Sequence, residues 1–133
     1  MLCVIEFRIE RRSGTAAYAQ IVHQVRDAVL LGRLHVGDQL PTAREVVAAT
    51  GINPNTVLKA YRQLDVQGVV ETRAGAGTFV IAVPERVVDE SASPLAGSLR
   101  AWLVDARDAG LDRPAVEALV KAQLDRTFRE ERV

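Results

Sequence analysis

Polar side chains are concentrated in the segment 53–59, which reads Asn-Pro-Asn-Thr-Val-Leu-Lys. The amide groups of Asn53 and Asn55 can each donate and accept a hydrogen bond along one base edge, as asparagine does with adenine in the major groove of DNA. Thr56 can bond to several bases, and Lys59 adds a positive charge. The chemistry that this segment fits is therefore the recognition of nucleic-acid bases.

Arginines lie on both sides of this segment. Arg44 precedes it and Arg73 follows it, and both could neutralise the backbone phosphates that flank a base-reading site. For Arg62 and Arg73 taken singly, an ordinary solvated surface position is almost as good an interpretation. Phosphate contact is thus predicted for these basic residues as a group rather than for any one of them.

Catalytic and metal chemistry have little support in the sequence. The single cysteine, Cys3, and the distant histidines His23 and His35 cannot supply the three or four ligands of a typical zinc site. The run 74–77, Ala-Gly-Ala-Gly, lacks the following helix and the Gly-Lys-Ser/Thr ending of a phosphate-binding loop. No paired acids and no nucleophile beside a base stand out. We expect no enzyme activity, no metal and no cofactor.

The composition is that of an ordinary globular protein. The chain has 133 residues, of which 48% are hydrophobic and 26% charged, with 17 Lys and Arg balanced by 17 Asp and Glu. These proportions exclude disorder and a collagen-like structure. No apolar run approaches the ~20 residues that span a bilayer, and residues 1–6 lack the features of a secretory signal. We expect a cytoplasmic protein, without membrane contact, made of one domain and an appendage.

The elements before the polar segment are predicted to be one strand and two helices. Residues 4–9 alternate loosely between apolar and charged, as a short strand does. Residues 15–32 carry apolar side chains at three- and four-residue steps, which predicts an amphipathic helix of about 17 residues. The segment 32–41 contains glycines and a proline and reads as a turn-rich connection. Thr42 then begins a helix, since its hydroxyl can accept from the backbone of Glu45 while Glu45 reaches back to Thr42.

The polar segment itself opens a third helix. Asn53 is a good N-cap, and Pro54 stands at the first helical position, where no amide is missed. The apolar side chains of this helix form one stripe: Val57, Ala60, Tyr61 and Leu64. The residues of the stripe hold the helix against the first two helices and leave its polar N-terminal end free for the major groove.

The segments on either side of residues 74–77 read as a hairpin. Val69–Arg73 and Thr78–Ala82 are strand-like, and the glycine-containing run between them forms the turn. A helix, a tight turn, a second helix with a polar face and a hairpin is the layout of a winged helix-turn-helix domain. The predicted fold class is α+β, with this domain over residues 1–82.

A change of composition marks a linker at residues 83–94, which are rich in proline, serine and acids. The predicted helical region, residues 95–133, is too small to enclose a core alone, so its apolar stripes must pack on another surface. We infer a two-helix dimerisation hairpin. Its candidate contact residues are Leu95, Leu99, Trp102, Leu103, Val116, Leu119, Val120, Leu124 and Phe128.

Several segments match a known family in order and spacing. They are Gly32-Arg-Leu-His-Val-Gly-Asp-Gln-Leu-Pro-Thr-Ala-Arg-Glu45, Asn53-Pro-Asn-Thr-Val57, Ala60-Tyr61, Leu64, Gly68 and Gly75-Ala-Gly-Thr-Phe-Val80. Over about residues 15–82 the chain resembles the DNA-binding domain of GntR-family transcription regulators. The start of its third helix and its short tail resemble the YtrA subfamily. This resemblance implies a repressor of a transport or related operon.

The resemblance also implies roles for particular residues. The family's DNA-contacting arginine of the second helix falls on Arg44, its threonine near the start of the recognition helix on Thr56, and its wing-tip glycine on Gly75. Many members carry arginines where this chain has Pro54 and Leu58, so their guanine contacts are not implied here. Leu58 could instead touch a thymine methyl while Asn55 reads adenine, which predicts an A·T-containing half-site.

The net charges of the two parts of the chain bear on the expected oligomeric state. Residues 1–82 carry a net charge of +2 and residues 83–133 a net charge of −2. So mildly basic a domain should bind random DNA only modestly, and a useful regulator then needs two copies on two half-sites. We expect a homodimer on a pseudo-palindromic operator in double-stranded DNA, with half-sites about one turn, ~34 Å, or a related spacing apart.

The sequence thus predicts a homodimeric, sequence-specific DNA-binding transcription regulator. The alternative is a winged-helix module that binds another protein without reading DNA. The polar tip of the third helix favours DNA, because protein-binding surfaces more often expose aromatic and aliphatic anchors. A third hypothesis makes the tail a sensor for an unidentified small-molecule effector.

Overall fold

The computed structural model describes residues 5–84 and 87–129, which belong to two units that divide after Glu90. The first unit holds three helices and a hairpin, and the second holds two helices. The elements are α1 (Ala17–Leu30), α2 (Ala43–Thr50), α3 (Pro54–Val66), β1 (Val70–Arg73), β2 (Gly77–Val80), α4 (Pro94–Asp108) and α5 (Arg113–Thr127). This order confirms the predicted winged helix-turn-helix layout followed by a helical tail.

Helix α1 is 14 residues long, shorter than the predicted 17. The residues before it form a turn instead, in which the Thr15 amide donates to Ser13 Oγ at 3.2 Å. At the other end, the amides of Arg33 and Leu34 both donate to the Ala28 carbonyl, which turns the chain away from the helix axis.

The predicted strand at residues 4–9 is wrong. Val4 lies outside the described residues, as does Cys3, and residues 5–10 form neither a helix nor a strand. The side chain of Gln24, in α1, replaces a strand neighbour: the Arg8 amide donates to its Oε1 at 3.0 Å, and its Nε2 donates to the Arg8 carbonyl at 2.8 Å. The side chain of Phe7, in this segment, is buried in the core.

The core of the first unit lies between α1, α2, α3 and the hairpin. Its buried side chains are Phe7, Ile21, Val22, Val25, Ala28, Val29, Leu34, Leu40, Val46, Val57, Ala60, Tyr61, Leu64, Val70 and Val80. The predicted apolar stripe of α3 is confirmed, because all four of its residues are in this set. The buried Tyr61 hydroxyl donates to the Pro41 carbonyl at 2.6 Å and so ties α3 to the loop before α2.

The hairpin pairs Val70 with Val80 and Arg73 with Gly77, in antiparallel register. Its free edge is covered by the connection between α1 and α2, in which Gln39 forms a bridge with Phe79. The Leu40 amide donates to the Thr78 carbonyl at 2.8 Å and extends that pairing. The segment predicted only as a turn-rich connection therefore adds a short third strand-like segment to the hairpin, which is the wing of this domain.

Part of the predicted linker is attached to the first unit. The Val88 amide donates to the Leu30 carbonyl at 2.9 Å, and the guanidinium of Arg33 forms an ion pair with Glu90. The division after Glu90 thus falls inside the predicted linker 83–94, because residues 87–90 have partners near the end of α1.

The second unit consists of two capped helices. Ser93 accepts from the Leu95 amide at the start of α4, and Asp112 accepts from the Ala115 amide at the start of α5. Ala106 is the only buried residue of the two helices. None of the helices in the described part of the chain is both long and apolar enough to cross a membrane.

Candidate nucleic-acid interface

The start of α2 presents Arg44 to solvent. Thr42 caps the helix: its Oγ1 accepts from the Glu45 amide at 3.1 Å and its hydroxyl lies 3.1 Å from Glu45 Oε1. This cap fixes the first turn of α2, where Arg44 is exposed. Among the described residues Arg44 has no ion pair, so its guanidinium is free for an anion.

The start of α3 is fixed by Asn53. Its Oδ1 accepts from the Asn55 amide at 2.8 Å, and its carbonyl accepts from the Thr56 amide at 3.0 Å. The Asn53 side chain therefore orients the first turn with its oxygen and keeps only its amide NH₂ for another partner. Asn55 is exposed, and Thr56 is half-buried beside it.

The outer face of α3 carries four exposed side chains at helical spacing: Asn55, Leu58, Lys59 and Arg62. A rotation of about 100° per residue places them on the side opposite the buried stripe. Leu58 is 46% exposed, a large apolar side chain in the middle of this face. Lys59 Nζ lies 4.0 Å from the centre of the Tyr18 ring, so its charge is held toward α1 by a cation–π contact.

The wing has Gly75 in its turn, Gly77 at the start of β2 and Arg73 at the end of β1. Gly75 has φ +75° and Gly77 φ +127°, values that L side chains rarely adopt. The Gln39 side chain braces this turn, because its Nε2 donates to the Ala76 carbonyl at 3.1 Å. Arg73 Nε donates to Glu71 Oε2 at 3.1 Å, and its guanidinium lies 4.8 Å from the centre of the Phe79 ring.

Packing brings most of the predicted DNA-contacting residues into one region. Helices α2 and α3 pack on each other, which puts Arg44 on the helix next to the polar face of α3. The hairpin follows α3 directly, and the Thr72 amide donates to Asp65 Oδ2 at 3.4 Å across this junction. Arg73 and Gly75 lie farther out, at the last strand pair and the tip of the wing.

Sequence reasoning missed three residues that shape this region. Gln39 supports the wing, Glu71 partly neutralises Arg73, and Tyr18 holds Lys59. Gln39 and Tyr18 act from distant positions in the sequence, which no local spacing indicates, whereas Glu71 lies two residues from Arg73 on the same strand. Gly77, which the Gln39 side chain approaches, gives no sequence signal of that contact, because it is predicted as part of the turn.

The histidines show no metal chemistry. His23 is exposed, and His35 Nδ1 lies 3.5 Å from Asp38 Oδ2 in the loop after α1. Within residues 5–84 and 87–129, no three His, Cys, Asp or Glu side chains are placed to hold a metal ion.

The predicted dimerisation residues form an open apolar surface on the second unit. Leu95 is 77% exposed and Trp102 40% exposed, and Val116 and Val120 are half-buried. A groove of about 540 Å³ between α4 and α5 is lined by Leu99, Trp102, Leu119, Val120, Gln123, Leu124 and Thr127.

Comparison with known proteins identifies the domain. Residues 17–80 match the family model described as bacterial regulatory proteins, gntR family. The chain is 33% identical to the HTH-type transcriptional repressor YtrA of Bacillus subtilis (strain 168) over 115 residues, which is 86% of this chain and 88% of that protein. The likeness therefore extends through the winged domain and into the tail.

Solved structures agree with this assignment. A transcriptional antiterminator from Listeria monocytogenes EGD-e superposes with a TM-score of 0.58 at 31% identity, covering 90% of both chains. YtrA from Sulfolobus acidocaldarius gives a TM-score of 0.53 at 27% identity, covering 77% of this chain and 97% of that one. AraR(DBD) in complex with operator ORX1 gives 0.50 at 25% identity, covering 57% of this chain and 95% of that chain.

The matched relatives are transcription regulators and not enzymes, which confirms the expectation that the sequence carries no catalytic site. The fold, the polar face of α3 and the extent of the match agree with one another. The chain belongs to the GntR family of DNA-binding transcription regulators and is a YtrA-like member of it.

Proposed function

We propose that the chain is a homodimeric, cytoplasmic repressor that reads a pseudo-palindromic operator. The single observation that carries this proposal is the outer face of α3, which exposes polar and basic side chains while its other face is buried. The name of the Bacillus subtilis relative, a transcriptional repressor, supports the sign of regulation. The operator in the AraR complex supports duplex DNA as the partner. A transport or related operon is the proposed target.

Base reading is assigned to the first half of α3. Asn55 is exposed and its side-chain amide has no hydrogen-bond partner among the described residues, so it can pair with adenine in the major groove. Leu58, on the same face, is placed to touch a thymine methyl. Asn53 takes a supporting role, because its Oδ1 already caps the helix and only its NH₂ can reach a base or phosphate. Thr56 contributes its hydroxyl from a half-buried position.

Phosphate contacts are assigned to the basic residues around this face. Arg44 and Arg62 have no ion pair among the described residues, so no protein contact has to break when a phosphate arrives. Lys59 and Arg73 lie against aromatic rings and so present their charges in fixed positions. The turn at Gly75 has no side chain, which lets the wing backbone approach the sugar-phosphate chain closely.

Dimerisation is assigned to the second unit. Because α4 and α5 bury only Ala106, the apolar side chains of both helices need another surface to cover them. A second copy of this surface would bury both faces at once and place two reading domains on one duplex. The groove beside Trp102 is the natural centre of such a contact, since tryptophans often dominate interface energies.

Selection from a random duplex library at near-physiological salt tests the proposal, together with sedimentation of the free protein. We expect a two-fold-symmetric enriched sequence, a dimer in solution and an affinity that falls steeply with salt. A protein that enriches no sequence, or that binds one half-site as a monomer, contradicts the proposal. The first outcome would favour the winged-helix protein-binding module or the need for a small-molecule effector.

A further inference from the structure

The loop before α1 is ordered by one side chain. Gln20 Oε1 accepts from the Glu10 amide at 2.8 Å, and its Nε2 lies within 3.0 Å of the Glu10 carbonyl, Ser13 Oγ and the Thr15 carbonyl. Residues 11 and 12 lie between these anchored points, and both are arginines. The chain therefore presents two exposed guanidinium groups on a loop whose backbone is fixed at both ends.

Two contacts place this loop at the reading end of α3. Lys59 Nζ of α3 lies over the Tyr18 ring at the start of α1, and Arg26, farther along α1, donates to Gln67 just after the end of α3 at 2.7 Å. Helices α1 and α3 therefore run in the same direction. The loop that precedes α1 consequently lies toward the N-terminal end of α3.

Arg11 approaches this end directly. A Cβ on Gly51 would lie 3.2 Å from Arg11 Nη2, so the guanidinium rests against the turn between α2 and α3. Gly51 stands two residues before Asn53, and their Cα atoms are at most about 7.6 Å apart. Phosphates of a duplex follow one another at one charge per ~3.4 Å of axis along each strand. A duplex that meets the start of α3 thus brings phosphates within reach of this guanidinium.

The charges of Arg11 and Arg12 are unpaired among the described residues of the first unit. Neither forms a hydrogen bond or ion pair with another described residue, whereas Arg33 and Arg73 are paired with Glu90 and Glu71. The dipole at the end of α2 attracts Arg11 but leaves all five of its N–H donors without a hydrogen-bonded acceptor in the described structure. Such a group can form short, charge-assisted bonds to phosphate without first losing a partner.

We propose that Arg11 and Arg12 contact the DNA backbone beside the recognition helix, as a further phosphate-contacting element besides α2, α3 and the wing. The inference rests on the proposed reading of DNA by α3. The two arginines add contacts to DNA of any sequence, because phosphates carry no base identity. In a domain with a net charge of only +2 over residues 1–82, two such contacts form a large part of the electrostatic attraction.

The expected effect follows from counterion release. Each phosphate contact contributes ~0.9 to the slope of log affinity against log salt concentration. Removal of both arginines should therefore reduce the slope by about 1.8 and the affinity at 0.15 M salt by roughly 30-fold. The loss should be equal on the selected duplex and on a scrambled one.

The test compares the full-length wild-type chain with the double variant Arg11→Ala/Arg12→Ala by anisotropy titration at several salt concentrations. Arg26→Ala is the positional control: it removes one positive charge, against two in the test variant, from the first unit near the C-terminal end of α3. Arg11→Lys/Arg12→Lys retains the charges and should retain the slope. Thermal melts of all variants report whether the fold is intact.

An equal loss of affinity on both duplexes, together with a smaller slope of log affinity against log salt concentration, supports phosphate contact by Arg11 and Arg12. An unchanged slope in the alanine variant, or the same loss in Arg26→Ala, overturns it while leaving the reading of DNA by α3 intact. A wild-type chain that binds neither duplex at any salt concentration overturns the proposed function, and this inference with it.

Discussion

A methyl group added at Gly77 should weaken the wing more than one added at Gly75. A Cβ at Gly77 would overlap Gln39 Nε2 and lie 3.2 Å from its Cδ, while nothing lies within 4 Å of a Cβ at Gly75. Both glycines have positive φ, +127° and +75°, so both alanine variants carry backbone strain. Only Gly77→Ala must also displace the side chain that holds the wing tip.

The magnitudes differ enough to be measured. Strain of an L residue in the left-handed region costs ~1–2 kcal/mol, and we expect Gly75→Ala to lose about 1 kcal/mol of unfolding free energy. Gly77→Ala also loses the bond from Gln39 to the Ala76 carbonyl, which contributes ~0.5–1.5 kcal/mol. We therefore expect Gly77→Ala to cost about 2–3 kcal/mol in total.

A double-mutant cycle with Gln39→Ala isolates the contact. Once Gln39 is truncated, Gly77→Ala should cost only its backbone strain, so the two changes should be less than additive by about 1 kcal/mol. Urea denaturation is followed by far-ultraviolet circular dichroism, because the single tryptophan, Trp102, lies in the second unit. Equal losses of unfolding free energy in the two glycine variants, or strict additivity with Gln39→Ala, would refute the proposed support of the turn by Gln39.

Three further predictions concern the interface, the tail and the core. The double change Arg44→Ala/Thr56→Ala should reduce DNA affinity at least about tenfold in anisotropy titrations, with an unchanged melting temperature. An unchanged affinity would remove both residues from the site. Trp102→Ala should raise the dimer dissociation constant at least ~30-fold by sedimentation, and a dimer of wild-type strength would place the contact elsewhere. Leu64→Ala, at a fully buried position, should cost ~2–5 kcal/mol in urea denaturation, and a cost near zero would contradict its place in the core.

Local sequence signals predicted the reading helix well. Asn53, Pro54 and the apolar stripe that begins at Val57 act over one to four residues along the chain, and the structure uses each of them as a cap or a core contact. The same holds for Thr42 at α2. Caps and stripes depend on neighbours within a turn of helix, so spacing alone reveals them.

Long-range contacts by polar side chains were not predictable in this way. Residues 4–9 alternate in sequence as a strand does, but the side chain of Gln24 takes the place of a strand partner for Arg8. Gln39 joins the wing from a segment whose glycines and proline indicated only turns. The predicted linker includes Val88, whose amide bonds to Leu30, 58 residues earlier in the chain. A glutamine or a backbone amide gives no periodic signal of its distant partner.

The candidate DNA-contacting residues show the same difference between local sequence signals and long-range contacts. The exposed face of α3 could be read from its helical spacing, but the restraint of Arg73 by Phe79 across the hairpin and of Lys59 by Tyr18 could not. These pairs determine where the charges are held, and they arise only when hairpin and helices are packed. Residue type therefore indicates which side chains can meet DNA, and the fold determines how each one is presented.

The most direct test of base reading by α3 is a comparison of the sequences selected by the wild-type chain, Asn55→Ala and Leu58→Ala from one random duplex library. The account predicts that each variant loses preference at its own base pair, at symmetric positions in both half-sites, while the rest of the enriched sequence is retained. Base preferences that are unchanged in both variants would contradict the assignment of sequence reading to this face of α3.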